Sequence, residues 1–262
     1  MKRASLAIIS ALVLAGPAAH AADLALKAPP PAAVVSSWTG FYLGVDAGGA
    51  WSNGSSSTTP LPDTIGWNRL PDTFNLRASS AIGGVHAGYN LQVAPNALIG
   101  IEADWQATNT GASSTVQDRD STGTPFPVPL PTTMTRDLHW LASVRPRAGI
   151  VANNSLLLFV TGGAAWGEVH YTGTLTSLPP GFTWAANTSA TRSGYVVGGG
   201  AEWMLMPNLL LRAQYLFYRL QGDSVIANGV PPLPPFQIGY NWNAFNTNVV
   251  EVGLSYKFGG SR

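Results

Sequence analysis

The chain has 262 residues, of which only 10% are charged, a formal net charge of +1 and no cysteine. Soluble domains usually carry about a quarter charged residues, so this composition argues against an ordinary soluble protein. The near-zero charge gives no electrostatic reason to expect nucleic-acid binding, and the lack of cysteine excludes disulfides and Cys-ligated metals. After the N-terminus no run of about 18 apolar residues occurs, which excludes helical membrane spans.

The first 22 residues predict a secretory signal peptide. Lys2 and Arg3 are basic, residues 5–15 are apolar, and residues 19–21 (AHA) form a small-x-small site, with cleavage expected after Ala21 or Ala22. The apolar run is too short to serve instead as a membrane anchor. Residues 23–37 contain three consecutive prolines and predict a flexible periplasmic leader, so the exported domain begins at residue 38.

Eight segments between residues 40 and 258 alternate apolar and polar residues with the period of two that β-strands require. They cover about residues 40–52, 79–93, 98–108, 136–151, 156–171, 191–205, 209–220 and 249–258. Tight turns are predicted at Pro95-Asn96, Asn153-Asn154 and Pro207-Asn208, and long polar loops over residues 53–77, 109–135, 172–190 and 222–243. Short turns therefore form one rim of the sheet, and long loops form the other.

This pattern predicts an all-β fold, an eight-stranded antiparallel transmembrane β-barrel with short periplasmic turns and long extracellular loops. The last strand has an apolar face that ends in two aromatic residues. This face consists of Val250, Val252, Leu254, Tyr256 and Phe258. A soluble β-sandwich or a lipocalin-like barrel would hide its apolar face inside. Here that face contains most of the Trp and Tyr, near strand ends, which is typical of an outward aromatic girdle. Closure pairs the last strand with the first and leaves no edge in lipid.

Three strand features need separate comment. Residues 156–159 are apolar on both faces, so alternation alone does not decide which side chains of the fifth strand point outward. Leu158 and Trp166 are expected to point outward. In the fourth strand, Leu138 is expected outward and His139 inward. Pro146 lies in the same strand and cannot donate a ladder hydrogen bond, which predicts a bulge or irregular pairing there.

The inward faces carry charges of both signs, and these residues are the candidate site: Asp46, Glu102, Asp104, Arg145, Arg147, Glu202, Arg212, Glu251 and Lys257. Because lone buried charges are costly, we expect them to pair. Such a network could be an ion path or a gate that works by re-pairing. The alternative is an interior plug, which the narrow inside of an eight-stranded barrel favours. On that view, Arg145→Ala destabilises the barrel more than it changes permeability.

Other chemical signals are weaker. His86 and His139 are placed inward without a Cys or close His partner, so hydrogen-bonded interior histidines are favoured over a metal site. His170 with a loop serine could mimic the outward Ser/His pair of lipid A-modifying hydrolases, but no HxS arrangement is present. Glycine clusters at residues 162–163 and 198–200 lie in strands without a following helix, which indicates close packing, not a phosphate loop. No cofactor or metal is expected.

The predicted long loops carry aromatic residues among prolines: Trp67, Phe126, Phe182, Trp184, Phe236 and Trp242. They form either an irregular polar cap or a surface for adhesion and immune exposure.

Several stretches together resemble one family. Residues 37–44 (SWTGFYLG), 161–167 (TGGAAWG) and 252–258 (VGLSYKF), with residues 22–24, 83–89 and 140–149, resemble alphaproteobacterial outer-membrane proteins of the RopB and outer membrane immunogenic protein type. The resemblance covers the mature chain. It implies an eight-stranded, OmpA-like, porin-like barrel exposed at the cell surface, with no catalytic residues to transfer. The family usually ends in an aromatic residue read by the assembly machinery, whereas this chain continues past Phe258 with residues 259–262.

These observations predict a domain order of signal peptide (1–22), leader (23–37), barrel (38–258) and short tail (259–262). The expected function is structural, a surface-exposed outer-membrane protein that supports envelope integrity and is not an enzyme. A narrow porin for small solutes is the alternative, and a lipid A-modifying enzyme a remote one. Expected partners are outer-membrane lipids and lipopolysaccharide, the barrel assembly machinery and periplasmic chaperones, with homo-oligomerisation left open.

Overall fold

The computed structural model describes residues 37–61, 72–119, 122–125, 130–176, 181, 183–230 and 237–258. The predicted signal peptide, nearly all of the predicted leader and the short tail lie outside these ranges. The regular elements within them are all β-strands. Among the described residues, no helix is long and apolar enough to cross a membrane.

The described residues form ten strands: β1 Gly40–Pro60, β2 Thr73–Ala94, β3 Ala97–Gln117, β4 Pro131–Asn153, β5 Leu156–Thr176, β6 Thr183–Met206, β7 Leu209–Leu220, β8 Asp223–Val230, β9 Gln237–Trp242 and β10 Phe245–Phe258. Eight of these, β1 to β7 and β10, form a closed antiparallel ring. The ring closes between β1 and β10, in register from Phe41↔Phe258 to Asn53↔Asn246. The predicted eight-stranded antiparallel barrel, with its last strand paired to its first, is confirmed.

The outer wall of the lower barrel is an apolar belt bounded by aromatic rings. The lower aromatic girdle contains Phe41, Tyr89, Trp203, Tyr256 and Phe258, and the upper aromatic girdle contains Trp51, Trp105, Trp166, Tyr195 and Tyr215. Along β1, the belt runs from Phe41 to Trp51. At about 3.3 Å per residue and a strand tilt of about 40°, this stretch rises about 25 Å, which matches the apolar band of an outer-membrane barrel.

The strands continue far above this belt, where long irregular loops were predicted. β1 extends to Pro60, and β6 begins already at Thr183. In this upper part the polarity of the two faces is inverted. Phe74 and Leu76 of β2 point inward and are buried, whereas polar side chains cover the outside. The predicted loop bounds were too wide, because a strand with hydroxyl and amide residues outward looks polar and irregular beside the apolar belt.

A hairpin completes the upper part of the barrel. β7 ends at Leu220 and β10 starts at Phe245, and the β8–β9 hairpin lies between them in sequence. β9 pairs with β1 from Ser56↔Trp242 to Pro60↔Ile238, and β8 pairs with β6 at Thr183↔Val230 and Trp184↔Gly229. The hairpin therefore replaces β7 and β10 in an upper ring formed by β1 to β6, β8 and β9.

The interior contains two apolar clusters with a polar layer between them. The basal cluster, at the end with tight turns, consists of Trp38, Leu98, Val151, Leu157, Met204 and Leu210. The upper cluster fills the barrel from the top of the belt into the upper ring, and its largest members are Phe74, Tyr171, Trp184, Tyr240, Trp242 and Phe245. The basal cluster explains why the start of β5 is apolar on both faces. Leu157 points into the cluster while Leu158 and Trp166 face outward, as predicted.

Local irregularities in strand pairing change which side chains of β4 point inward. A register shift between Leu138 and Trp140 adds one residue to β4 relative to β5. Because a one-residue shift exchanges the two faces of a strand, Leu138 is buried and His139 is exposed, the reverse of the prediction for both. The predicted turn at Asn153-Asn154 lies one residue later, at Asn154-Ser155, and the other two tight turns are at their predicted positions.

Pro146 interrupts the β4–β5 ladder. The pairs run from Val144↔Ala164 to Arg147↔Thr161 with no pair at the two residues between, and the register does not shift. The predicted irregular pairing is confirmed. The Thr161 Oγ1 hydroxyl donates a hydrogen bond to the Pro146 carbonyl at 2.9 Å and so compensates in part for the gap.

Candidate functional site

The interior charge network lies between the basal and upper clusters. It consists of side chains that alternation points inward from seven strands: Asp46, His86, Glu102, Asp104, Arg145, Arg147, Glu202, Arg212 and Glu251, all 6% exposed or less. Register brings opposite charges face to face. Glu102 lies opposite Arg145 across β3–β4, and Glu202 lies opposite Arg212 across β6–β7. Strand pairing thus brings opposite charges to the same level, and Glu202 makes its ion pair with Arg147 at that level.

Glu102 is the centre of the network. It accepts hydrogen bonds from Arg145 Nη2 at 2.7 Å, Arg212 Nη1 at 2.8 Å and Arg147 Nη1 at 3.2 Å. The Tyr42 hydroxyl donates to the same carboxylate at 2.7 Å. Glu102 is therefore compensated by three guanidinium groups, so the loss of one of them leaves this carboxylate with other partners.

Arg212 joins Glu102 to Asp46. Its Nε and Nη2 atoms contact the two Asp46 carboxylate oxygens at 2.9 and 2.7 Å, which is a bidentate pair. Such paired, parallel hydrogen bonds fix both side chains in orientation as well as in position. Because Arg212 and Asp46 lie on strands separated by β10, this contact holds three neighbouring strands at the middle of the barrel.

The other carboxylates have fewer charged partners. Asp104 contacts Arg145 Nη2 at 3.0 Å and accepts a hydrogen bond from Ser143. Glu202 contacts Arg147 Nη2 at 2.8 Å. Glu251 is held by two amides. Gln106 Nε2 donates to it at 2.7 Å and Gln214 Nε2 donates to its other oxygen, while Arg212 Nη2 is 3.9 Å away.

His86 bridges β1 from one side to the other. Its Nδ1 lies 2.5 Å from Asp46 Oδ2 and its Nε2 lies 2.7 Å from Ser255 Oγ. The imidazole crosses above Gly44, which pairs with both His86 and Ser255, and a Cβ at Gly44 would collide with the ring. The order Ser255–His86–Asp46 is that of a nucleophilic triad. All three side chains are buried between the two apolar clusters.

The nine residues singled out in the sequence do not all meet. Eight lie in the network, but Lys257 does not. Its ammonium group donates to the carbonyl of Ser37 at the base of the barrel. Alternation also placed His86 and the neutral members of the network inward, but only charged residues were selected as the candidate site. These neutral members are Tyr42, Gln106, Ser143, Gln214 and Ser255.

The network contains five carboxylates and only three guanidinium groups. The cations are therefore each shared between carboxylates, and the neutral donors supply the remaining hydrogen bonds. Within the described residues, no group of three or more His, Cys, Asp or Glu could hold a metal ion. The arrangement can cross-link strands through charge-assisted hydrogen bonds.

A histidine–serine pair on the outer wall is relevant to the alternative that the protein is a lipid A-modifying enzyme. His170 Nδ1 lies 3.1 Å from Ser189 Oγ, above the upper girdle on β5 and β6. Among the described residues, no carboxylate lies within ion-pair distance of His170. Asp137 is its cross-strand neighbour but is directed toward Gly111 on the other side. A serine and a histidine without an orienting acid lack the third group of a hydrolase triad.

Comparison with known proteins agrees with this geometry. Residues 8–258 match the family model described as Outer membrane protein beta-barrel domain. The chain belongs to this family. It is 30% identical over 265 residues to the 31 kDa outer-membrane immunogenic protein of Brucella melitensis biotype 1, over 98% of this chain and 100% of that protein. It is 25% identical over 260 residues to the 25 kDa outer-membrane immunogenic protein of Brucella canis, over 97% and 98% of the two chains.

Among solved structures, the outer membrane protein OprG from Pseudomonas aeruginosa is similar, with a TM-score of 0.49 and 14% identity over 85% of this chain and 98% of that chain. The family model and the Brucella relatives identify the protein as a β-barrel of the outer membrane. The predicted family and localisation are confirmed.

Proposed function

We propose that this protein is a closed, structural barrel that supports the integrity of the outer membrane and does not pass solutes. The observation that carries the proposal is the filling of the interior at three successive levels: the basal cluster, the interior charge network and the upper cluster. A solute path would have to cross all three, so a porin function would need a large rearrangement.

The basal level is closed by Trp38, which is fully buried. Its backbone N–H donates to Gln92 Oε1 at 3.1 Å, and Lys257 holds the carbonyl of the preceding residue, Ser37. These bonds attach the segment just before β1 to the base of the barrel. Trp38 therefore plugs the periplasmic mouth as part of the folded wall.

The middle level is closed by the network. An ion could pass only if the shared guanidinium groups of Arg145, Arg147 and Arg212 moved away from their carboxylates. Removing one partner of a buried ion pair typically costs about 3–5 kcal/mol, because it leaves an uncompensated charge. Thermal motion therefore opens such a path only rarely, which supports a structural role over gating by re-pairing.

The upper level is closed by aromatic packing. Arg136 lies with its guanidinium carbon 4.1 Å from the centre of the Phe245 ring and donates to Ser52 Oγ at 2.9 Å. Tyr240 donates its hydroxyl to the Trp184 carbonyl at 2.9 Å. Trp184 and Trp242 were predicted in surface loops. They are instead buried inside the upper ring, so they belong to the plug and are not free for adhesion.

The upper ring is the part that we propose to be exposed at the cell surface. Its outer face carries cross-strand hydroxyl and amide pairs, such as Thr115–Thr133 at 2.8 Å and Asn241–Thr59 at 3.0 Å. The relatives are named immunogenic, which supports surface exposure of this protein as well. Labelling of intact cells with an antibody against the upper ring tests this proposal.

Two measurements test the closed barrel. In planar bilayers, we expect the purified protein to show no steps in current above those of protein-free membranes. Regular single-channel steps would contradict the proposal and favour a narrow porin. In cells, we expect deletion of the gene to increase entry of large antibiotics and sensitivity to detergent, with rescue by the wild-type chain. Unchanged barrier function in the deletion strain would refute the envelope role.

A further inference from the structure

A row of polar side chains crosses the outer wall directly above the apolar belt. Arg77 of β2 pairs with Asn53 of β1, which pairs with Asn246 of β10, which pairs with Arg219 of β7. These four residues, here called the arginine row, all point outward. Asn53 is two residues beyond Trp51 of the upper girdle. Two residues of a tilted strand rise about 5 Å, so the part of the row at Asn53 and Arg77 lies at the height of lipid headgroups in the outer leaflet.

A depression opens next to Arg77. It has a volume of about 610 Å³, and its lining includes Trp51, Asn53, Arg77, Ser79 and Asn248. Its lower edge is the Trp51 ring in the upper girdle, and its upper edge is polar. An amphiphilic molecule that stands in the outer leaflet would place its chains along the belt and its headgroup at this depression.

The polar groups around the depression are held in place by neighbours. The Tyr215 hydroxyl donates to Asn248 Oδ1 at 2.6 Å, and Arg219 Nη1 donates to Asn246 Oδ1 at 3.2 Å. Arg77, by contrast, has no acidic side chain within ion-pair distance among the described residues. Its guanidinium group is exposed, so its donors are available to a ligand.

Charge on the outer wall at this height is unevenly distributed. The two arginines of the arginine row lie on β2 and β7, whereas the outward acidic residues Asp137 and Glu168 lie on β4 and β5. An anionic headgroup is thus attracted to one side of the barrel and repelled from the other. Three strand spacings separate Arg77 from Arg219, about 14 Å, which suits a large headgroup with more than one phosphate.

We propose that this depression binds the phosphorylated headgroup of an outer-leaflet glycolipid. The Arg77 guanidinium binds a phosphate, because its planar donors match phosphate oxygens and form charge-assisted hydrogen bonds. Asn53 and Asn248 bind sugar hydroxyls, and Arg219 binds a second phosphate of the same headgroup. Trp51 packs at the boundary between headgroup and acyl chains, as interfacial aromatic residues do.

The test measures binding of diphosphorylated lipid A to the purified protein in mild detergent by native mass spectrometry. We expect Arg77→Glu to weaken binding by at least about tenfold, which corresponds to loss of one charge-assisted contact. The matched control is Arg119→Glu, the same charge change at an exposed residue in the β3–β4 connection that donates to Gly123. It is expected to bind as the wild type does. Equal binding by wild type and Arg77→Glu, or an equal loss in both variants, would overturn the proposal.

Further arms identify the ligand and control for folding. Arg77→Gln keeps a polar side chain without charge, and its affinity for lipid A is expected to lie between those of the wild type and Arg77→Glu. Binding at the wild-type level would refute the role of charge. Dephosphorylated lipid A should bind wild type as weakly as the phosphorylated form binds Arg77→Glu. Competition by inorganic phosphate as effective as that by lipid A would overturn the assignment to a lipid headgroup. Unchanged thermal unfolding of each variant shows that the barrel is intact.

Discussion

The charge network makes a quantitative prediction for Arg145→Ala. Arg145 is fully buried and contacts Glu102 at 2.7 Å and Asp104 at 3.0 Å. After its removal, Glu102 keeps two guanidinium groups and the Tyr42 hydroxyl, so this carboxylate remains compensated. Asp104, in contrast, loses its only ion-pair partner among the described residues. Breaking a buried pair costs about 3–5 kcal/mol, and since one carboxylate remains satisfied we expect the lower end, about 3 kcal/mol.

The free energy of unfolding can be measured by urea titration in lipid vesicles, followed by tryptophan fluorescence and by the gel shift between folded and unfolded barrel. The exposed Arg119→Ala, in the β3–β4 connection, is the control and should lower the free energy of unfolding by less than about 0.5 kcal/mol. Adding Asp104→Asn to Arg145→Ala removes the orphaned charge and should recover about 1–2 kcal/mol. Stability at the wild-type level together with a large rise in conductance would refute a structural network and favour a gated ion path.

Three other substitutions probe the remaining layers. Gly44→Ala should lower the free energy of unfolding by about 1–3 kcal/mol, because its Cβ would collide with the imidazole that bridges β1. The control Gly49→Ala, at an outward position, should be nearly neutral. Equal effects of the two substitutions on thermal unfolding would contradict this explanation. Trp38→Ala should lower the free energy of unfolding by about 3–5 kcal/mol, because it leaves a cavity in the basal cluster. It should still give no current in planar bilayers, because the charge network and the upper cluster continue to fill the barrel. A steady current would show that Trp38 alone closes the barrel. Thr161→Val should cost about 1 kcal/mol in urea titrations by removing the hydrogen bond to the Pro146 carbonyl, and an unchanged midpoint would mean that the ladder gap needs no compensation.

The candidate site shows which of its features the alternation of polar and apolar residues can predict. Period-two alternation identifies which residues of a strand point inward, and eight of the nine selected charges do lie in one network. Alternation does not report height along the barrel axis. Lys257 is inward and buried like the others, but it lies at the base, where it contacts the backbone of Ser37. The His86 bridge to Asp46 and Ser255 also depends on three strands meeting in one register, which no local pattern encodes.

Local sequence patterns were sufficient to predict the lower barrel. Lipid demands apolar side chains outside, and a narrow interior accepts polar ones, so each membrane-spanning strand carries its own signal. Strand number, tight turns and aromatic girdles are all local in this sense. The upper ring and the facing of β4 depend on contacts between strands that are distant in sequence. The upper ring inverts the polarity of the same strands, the β8–β9 hairpin enters it through contacts with β1 and β6, and a single shift near Leu138 exchanges the faces of β4. These features depend on pairing between distant segments, and register, which also selects the ion pairs, is a property of the closed sheet.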